Sequence, residues 1–280
     1  MAISSPLSPG AVAQEKRQTK GKAMKHIRHL IHWGAAGALV LLVLAAPSAQ
    51  AGPEVAEPFR DYYAQHEGIR VLGYPISDLR EAGGYAAQYF EKGRIEDHRR
   101  DTADPGWAFM FGRLTDELIA RGAGSAVSGT NVTYGTLATA ADPSRRLAAP
   151  AGFAGGTAGV RAGEFIPYDA FLRPAPGYVV PLHFWSYMQR TDLFPGGWLH
   201  DIGLPMTDAF QTTVVKNGEL RTIGMQAFER TILTYDPRNP GDWQVERGNI
   251  GTDALQAQPV PVPAGPIVLP QSGERVPLPL

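Results

Sequence analysis

The chain has 280 residues, among them 32 glycines and 24 prolines, no cysteine, and a formal charge of −1. Without thiols there is no disulfide, no thiol nucleophile and no cysteine to carry a lipid anchor, so the fold must rest on its apolar core. A near-neutral balance is not the basic footprint that a phosphate backbone selects, which argues against nucleic acid as a partner.

In chain order, Lys16, Arg17, Lys20, Lys22, Lys25 and Arg28 precede an uncharged run from Trp33 to Ala46, and Pro47-Ser48-Ala49-Gln50-Ala51 follows it. Basic region, apolar run and Ala-x-Ala site in that order predict a secretory signal peptide, 1–51, cleaved after Ala51. A membrane anchor needs roughly 20 apolar residues, and this run is shorter. The mature protein is therefore expected to be secreted or extracytoplasmic, with no membrane span. The basic region is long, so Met24 is an alternative start. Removing 1–51 takes six of the 26 Lys and Arg and one of the 27 Asp and Glu, leaving 20 basic against 26 acidic groups and a charge of about −6. The 229 residues that remain suffice for one large domain or two small ones.

The mature sequence repeats itself. Phe59, Tyr62, Gly73, Pro75, Ser77, Asp78, Gln88, Phe90, Glu91, Lys92, Thr115, Asp116 and Leu118 recur in order as Phe184, Tyr187, Gly203, Pro205, Thr207, Asp208, Gln226, Phe228, Glu229, Arg230, Thr252, Asp253 and Leu255. Spacing is kept within blocks and varies between them, as when elements persist and loops drift. This divides the chain into repeat module 1 (52–122), an insertion or linker (123–180), repeat module 2 (181–257) and a Pro-rich tail (258–280). The expected fold class is α+β: two diverged copies of a helix, tight bend, β-hairpin and short helix, with an irregular insertion between them.

Each block has a local reading. Aromatics at helical spacing in Phe59–Gln65 and Phe184–Gln189 predict short amphipathic helices. In Leu72-Gly73-Tyr74-Pro75 and Ile202-Gly203-Leu204-Pro205, glycine is free to take a positive φ while proline fixes its own φ and extends the residue before it. Ser77 or Asp78, and Thr207 or Asp208, are suited to cap a following helical turn. Tyr85–Glu91 and Arg94–His98 predict a hairpin with Gly93 in a left-handed position. Met225–Glu229 and Thr231–Tyr235 are also β-prone, but Thr231 stands in the place of Gly93, which predicts a different turn or a bulge. Thr115 and Thr252 read as caps of closing helical turns. Residues 138–163, rich in Ala, Gly and Pro, read as surface loop.

Leu72-Gly73-Tyr74-Pro75 followed by Gln88-Tyr89-Phe90-Glu91-Lys92-Gly93, and Ile202-Gly203-Leu204-Pro205 followed by Gln226-Ala227-Phe228-Glu229-Arg230, resemble the LGFP-type repeats of secreted bacterial envelope proteins. They resemble still more the tandem "GYP…QYFER" modules of uncharacterised exported bacterial proteins. The resemblance implies extracellular residence and a hold on the cell wall, and no chemistry. Neither copy keeps Phe after the Leu-Gly position, and the insertion has no counterpart.

Chemical motifs are sparse. His66, His98, His183 and His200 show no i, i+4 pair and no carboxylate at ligand spacing, so neither metal nor cofactor is expected. There is no nucleophile elbow, phosphate-cradling loop or dinucleotide fingerprint. Glu91 and Glu229 are the best carboxylate pair for a glycoside hydrolase, which needs two such groups flanking one bond. Their place after a core aromatic and beside Lys92 or Arg230 favours a structural role. Among Tyr74, Tyr89, Trp107, Trp185, Tyr187, Trp198 and Trp243, some could form a stacking platform for sugar rings. The candidate ligand-binding residues are Trp107, Trp185, Trp198, Tyr74 and Tyr89, of which Trp107 and Trp198 read as unrepeated. Gly73, Pro75, Gln88, Phe90, Glu91, Gly203, Pro205, Gln226, Phe228 and Glu229 define the repeat. The expected function is a non-enzymatic envelope protein binding a cell-wall or extracellular glycan, peptidoglycan or polysaccharide. A secreted hydrolase using Glu91 and Glu229 and a structural or protein-interaction spacer are the alternatives.

Overall fold

Residues 52–121 and 124–255 are described by a computed structural model; the export signal and the Pro-rich tail read from sequence lie outside the described residues. The fold is α+β with antiparallel sheets. A 3-10 turn at Glu57–Phe59, α1 (Arg60–Gln65) and α2 (Gly68–Val71) lead through Leu72-Gly73-Tyr74-Pro75 into a four-stranded sheet. Its order is β1 (Arg80–Ala82), β2 (Tyr85–Phe90), β3 (Gly93–Asp97), β4 (Phe109–Phe111), and α3 (Leu114–Arg121) follows. Next come α4 (Tyr134–Ala140) and a three-stranded sheet of β5 (Ala158–Val160), β6 (Gly163–Pro167) and β7 (Gly177–Pro181). The 123–180 segment is thus not irregular: β-branched and aromatic residues in Glu164–Ile166 and Tyr178–Val180 carry a ladder that the Gly-rich flanks hide. Then α5 (Leu182–Met188) and α6 (Trp198–Asp201) lead through Ile202-Gly203-Leu204-Pro205 into β8 (Phe210–Lys216), β9 (Glu219–Phe228), β10 (Thr231–Tyr235) and β11 (Val245–Arg247), again four sequential strands, before α7 (Ile250–Leu255). Among the described residues no helix is long and apolar enough to cross a membrane.

Both bends take the conformation that glycine permits. Gly73 has φ +75° and Gly203 φ +82°, a region costly for any side chain. A Cβ at either would also lie 2.9 Å from the Cβ of Glu91 or Glu229. Each bend then runs beside the end of a strand, with Pro75 bridging Phe90 and Pro205 bridging Phe228. Ile76 N–H donates to the Tyr89 carbonyl (2.9 Å) and Met206 N–H to the Ala227 carbonyl (2.8 Å). Strands, not helices, follow Ser77 and Thr207, so these residues are not caps. Their hydroxyls instead accept from Tyr89 N–H (3.0 Å) and Ala227 N–H (3.2 Å). Gln88 and Gln226 are fully buried beside them; their amides donate to the Ser77 carbonyl (2.9 Å) and the Thr207 carbonyl (2.8 Å).

The hairpins correct two further expectations. Gly93 is a strand residue without positive φ, paired with Phe90, and Thr231 pairs with Phe228 in the same register, so one two-residue turn serves both. Glycine at 93 answers a close approach instead, since a Cβ there would sit 3.0 Å from Leu72 Cδ2. Thr115 and Thr252 lie inside α3 and α7 rather than at their caps.

The main core draws on both four-stranded sheets and on α1 and α5, and includes the fully buried Phe59, Phe90, Ile95, Phe111, Phe184, Phe194, Phe228 and Leu233. Burying each such side chain contributes about 1.5–3 kcal/mol. The helices that follow the sheets cross over: α7 lies on β2 and β3, while α3 lies against β10. Thr252 N–H donates to the Glu91 carbonyl (3.1 Å), which ties α7 to the β2–β3 turn.

Candidate functional site

Glu91 and Glu229, the carboxylates nearest to a catalytic pair in the sequence, are each engaged in a bend. Glu91 Oε2 accepts from Tyr74 N–H (3.0 Å) and Glu229 Oε2 from Leu204 N–H (3.2 Å). Glu229 is buried and its other oxygen meets Arg113 Nη2 at 3.0 Å. A charge-assisted acceptor for the N–H that follows a left-handed glycine explains why Glu recurs beside Gly. The Lys92 ammonium donates to the Arg70 carbonyl (3.2 Å), and the Arg230 guanidinium donates to the Phe111 carbonyl.

Tryptophans gather around α6. Trp185 and Trp198, both half-buried, meet edge-on with ring centroids 5.6 Å apart. Trp107, 45% exposed, packs its ring 4.7 Å from the His200 imidazole. Residues 198 and 200 are about 200° apart on a helix, so Trp107 and the Trp185–Trp198 pair flank α6 on different sides. Tyr74 stands apart at the first bend, 64% exposed. Tyr89 is no platform: it is buried, and its hydroxyl accepts from Arg94 Nη1 (2.8 Å).

Beneath Trp107 lies a polar group that sequence reading misses. His200 Nδ1–H donates to Asp201 Oδ1 (2.6 Å), Gly196 N–H donates to Asp201 Oδ2 (3.1 Å), and His66 Nε2 faces Oδ2 at 3.3 Å. His66 Nδ1–H donates to the Tyr62 carbonyl (2.8 Å). All three side chains are buried. Burial pushes the Asp201 carboxyl up, but the neighbouring His200 and His66 imidazoles more than offset this and hold it below the ordinary carboxylate value. The bond at Nδ1 orients the His200 ring, with Nε2 on its far side. That nitrogen is buried without a partner, so a substrate would reach it only by displacing surrounding side chains. The group supports the His200 ring on which the Trp107 indole packs edge-on. Adjacent His200 and Asp201 were its one sequence signal; His66 is brought in only by tertiary packing.

A second exposed tryptophan holds a matching place. Trp107 and Trp243 each end a one-turn 3-10 helix before β4 and β11, five residues ahead of Gly112 and Gly248. Trp243 is 48% exposed and lies under the Arg70 guanidinium, 4.9 Å from its ring centroid. Arg70 precedes Gly73 by three residues and His200 precedes Gly203 by three. A loop two residues longer between Phe90 and Trp107 than between Phe228 and Trp243 hides this relation in the sequence. Elsewhere, an open depression of about 510 Å³ is lined by Tyr85, Ala86, Asp97, Arg99 and Arg100, with Arg99 paired to Asp97 at 2.6 Å. Among the described residues no cluster of His, Asp and Glu has the geometry to hold a metal ion. The chain matches no protein family, curated protein or solved structure.

Proposed function

We propose that this is an exported, non-enzymatic protein built from two diverged copies of a helix, bend, hairpin and helix module, 52–122 and 181–257, and that it binds a cell-envelope or extracellular glycan. The observation that carries the reading is Trp107: a large indole, half open to solvent, held in place from below by the buried His200–Asp201–His66 group. A fixed aromatic face with a polar edge suits a sugar ring, whose C–H face is apolar and whose rim carries hydroxyls. Preorganisation lowers the ordering cost of binding. The module copies are supported by the paired bends, the shared hairpin register and the matching Ser77 and Thr207 hydrogen bonds. The resemblance to LGFP-type repeats supports the envelope setting. Engagement of Glu91 and Glu229 in the bends supports binding over hydrolysis.

Co-sedimentation of the chain from Gly52 onward with purified peptidoglycan, chitin and cellulose tests the proposal. Retention on at least one, reduced about ten-fold in Trp107→Ala with its melting temperature unchanged, is the expected result. No retention on any of the three overturns it in favour of a spacer.

A further inference from the structure

The surface around Trp243 has a composition of its own. Arg70 lies over the indole and its Nη2 donates to the Asp242 carbonyl (2.9 Å). The Asp242 carboxylate, 74% exposed, sits 3.9 Å from Arg70 Nη2 and 3.5 Å from Arg190 Nη1. Arg190 Nε donates to Asp192 Oδ1 at 3.0 Å, which anchors the loop after α5 to the same place. Glu67, exposed and close enough to act on the Arg190 charge, stands between α1 and α2 with φ +46°, one of three non-glycine residues in a left-handed conformation among the described residues. Such a conformation is strained for a residue with a side chain and persists only where surrounding structure imposes it. Three separate segments thus meet at one exposed indole.

We propose that Trp243, with Glu67, Arg70, Arg190, Asp192 and Asp242, is a second glycan-binding site that takes an uncharged, hydroxyl-rich sugar. This rests on the proposed function and extends it from one site to two. Two guanidinium groups, Arg70 and Arg190, and three carboxylates, Asp242, Asp192 and Glu67, gather on the surface beside the indole, so the site offers no net positive field to a polyanion such as nucleic acid or a phosphate-rich polymer. Neighbouring donor and acceptor groups match vicinal hydroxyls, each of which donates one hydrogen bond and accepts up to two. The covered face of the indole is held by a cation, and the remaining exposed surface is free to stack on the C–H face of a pyranose. With Trp107 and Trp243 on one folded unit, a long glycan able to span them gains avidity without any new contact.

The test is calorimetric titration of the chain from Gly52 onward with chitohexaose and cellohexaose, with uronate-rich polygalacturonate hexamer as the charged comparison. Two equivalents of a neutral hexamer per chain are expected, falling to one in Trp243→Ala and to one in Trp107→Ala, with none in the double variant. Asp242→Asn should weaken the Trp243 site about ten-fold, and Trp243→Phe should retain it, which separates lost binding from lost folding. One equivalent in the parent, unaffected by Trp243→Ala and lost in Trp107→Ala, overturns the second site and leaves the proposed function standing. One equivalent lost only in Trp243→Ala upholds this site and removes Trp107 from the function. Tighter binding of the uronate hexamer overturns the uncharged-ligand assignment, and no binding of any hexamer overturns the second site, whereas the proposed function falls only if the chain is also not retained on peptidoglycan, chitin or cellulose.

Discussion

Gly251→Ala puts the crossing of α7 onto the other sheet to a direct test. Gly251 lies on α7 where the helix meets the β2–β3 turn, and an added Cβ would overlap the Phe90 carbonyl oxygen and stand 2.6 Å from the Gly93 carbonyl oxygen and 2.9 Å from the Gly93 nitrogen. These are backbone atoms of a paired turn and cannot swing aside, so α7 must shift by roughly an ångström or more. Overpacking of this kind costs about 1–3 kcal/mol. The shift also loosens the bond from Thr252 N–H to the Glu91 carbonyl, worth about 1 kcal/mol. Alanine returns about 1 kcal/mol through helix propensity. The net expectation is a loss of about 1–3 kcal/mol, or roughly 2–4 °C in Tm per kcal/mol for a domain of this size. Gly248→Ala is the control, because its Cβ would make an ordinary 3.5 Å contact with Ile232 Cβ. Paired thermal melts followed by circular dichroism decide it. A Gly251→Ala protein as stable as the Gly248→Ala protein would refute the packing of α7 on β2 and β3.

Truncating the fully buried Phe90 or Phe228 to Ala should cost about 3–5 kcal/mol each in urea unfolding, and a midpoint equal to the parent would remove that residue from the core. Gly73→Ala and Gly203→Ala should each destabilise by more than 1 kcal/mol, because both the positive φ and the nearby glutamate oppose a side chain; unchanged melts would contradict the bends. Burial lowers the His183 pKa to about 4 from its ordinary value, so the unfolded chain takes up a proton that the folded chain refuses. Stability is therefore full above pH 6.5 and falls as pH drops toward 4, by at most about 1.4 kcal/mol per pH unit. His183→Phe should flatten that limb, and an unaltered pH profile would count against it. Glu91→Gln should leave glycan retention unchanged in the co-sedimentation assay, whereas sugar release lost in this variant would revive the hydrolase.

The bends were legible because Gly-x-Pro carries its own geometry, and Gly73 and Gly203 both take the positive φ that glycine allows. Helices around Phe59–Gln65 and Phe184–Gln189 were legible from aromatic spacing, with boundaries one or two residues off. Other signals are local but masked by their flanks. Asn217-Gly218 and Gly83-Gly84, both with positive φ at each residue, turn the β8–β9 and β1–β2 hairpins, yet polar Lys216–Thr222 conceals the strand alternation. Ser77 and Thr207 look like helix caps because a hydroxyl suits any orphan N–H, and only the paired strand reveals which one they serve. The group under Trp107 lay beyond sequence reading for another reason. His66, just after α1, and Asp201, at the end of α6, meet only in the folded chain, and no spacing rule links two residues so far apart.

Nuclear magnetic resonance of the indole N–H signals reads glycan contact at each tryptophan separately. The chain from Gly52 onward has four tryptophans, Trp107, Trp185, Trp198 and Trp243, which are assigned by single Trp→Phe substitutions and followed as chitohexaose is added. Saturable movement of the Trp107 and Trp243 signals is expected, with much smaller movement of Trp185 and Trp198. If the Trp107 signal holds still through the titration while the chain is retained on chitin, the glycan binds elsewhere and the assignment of this surface is contradicted.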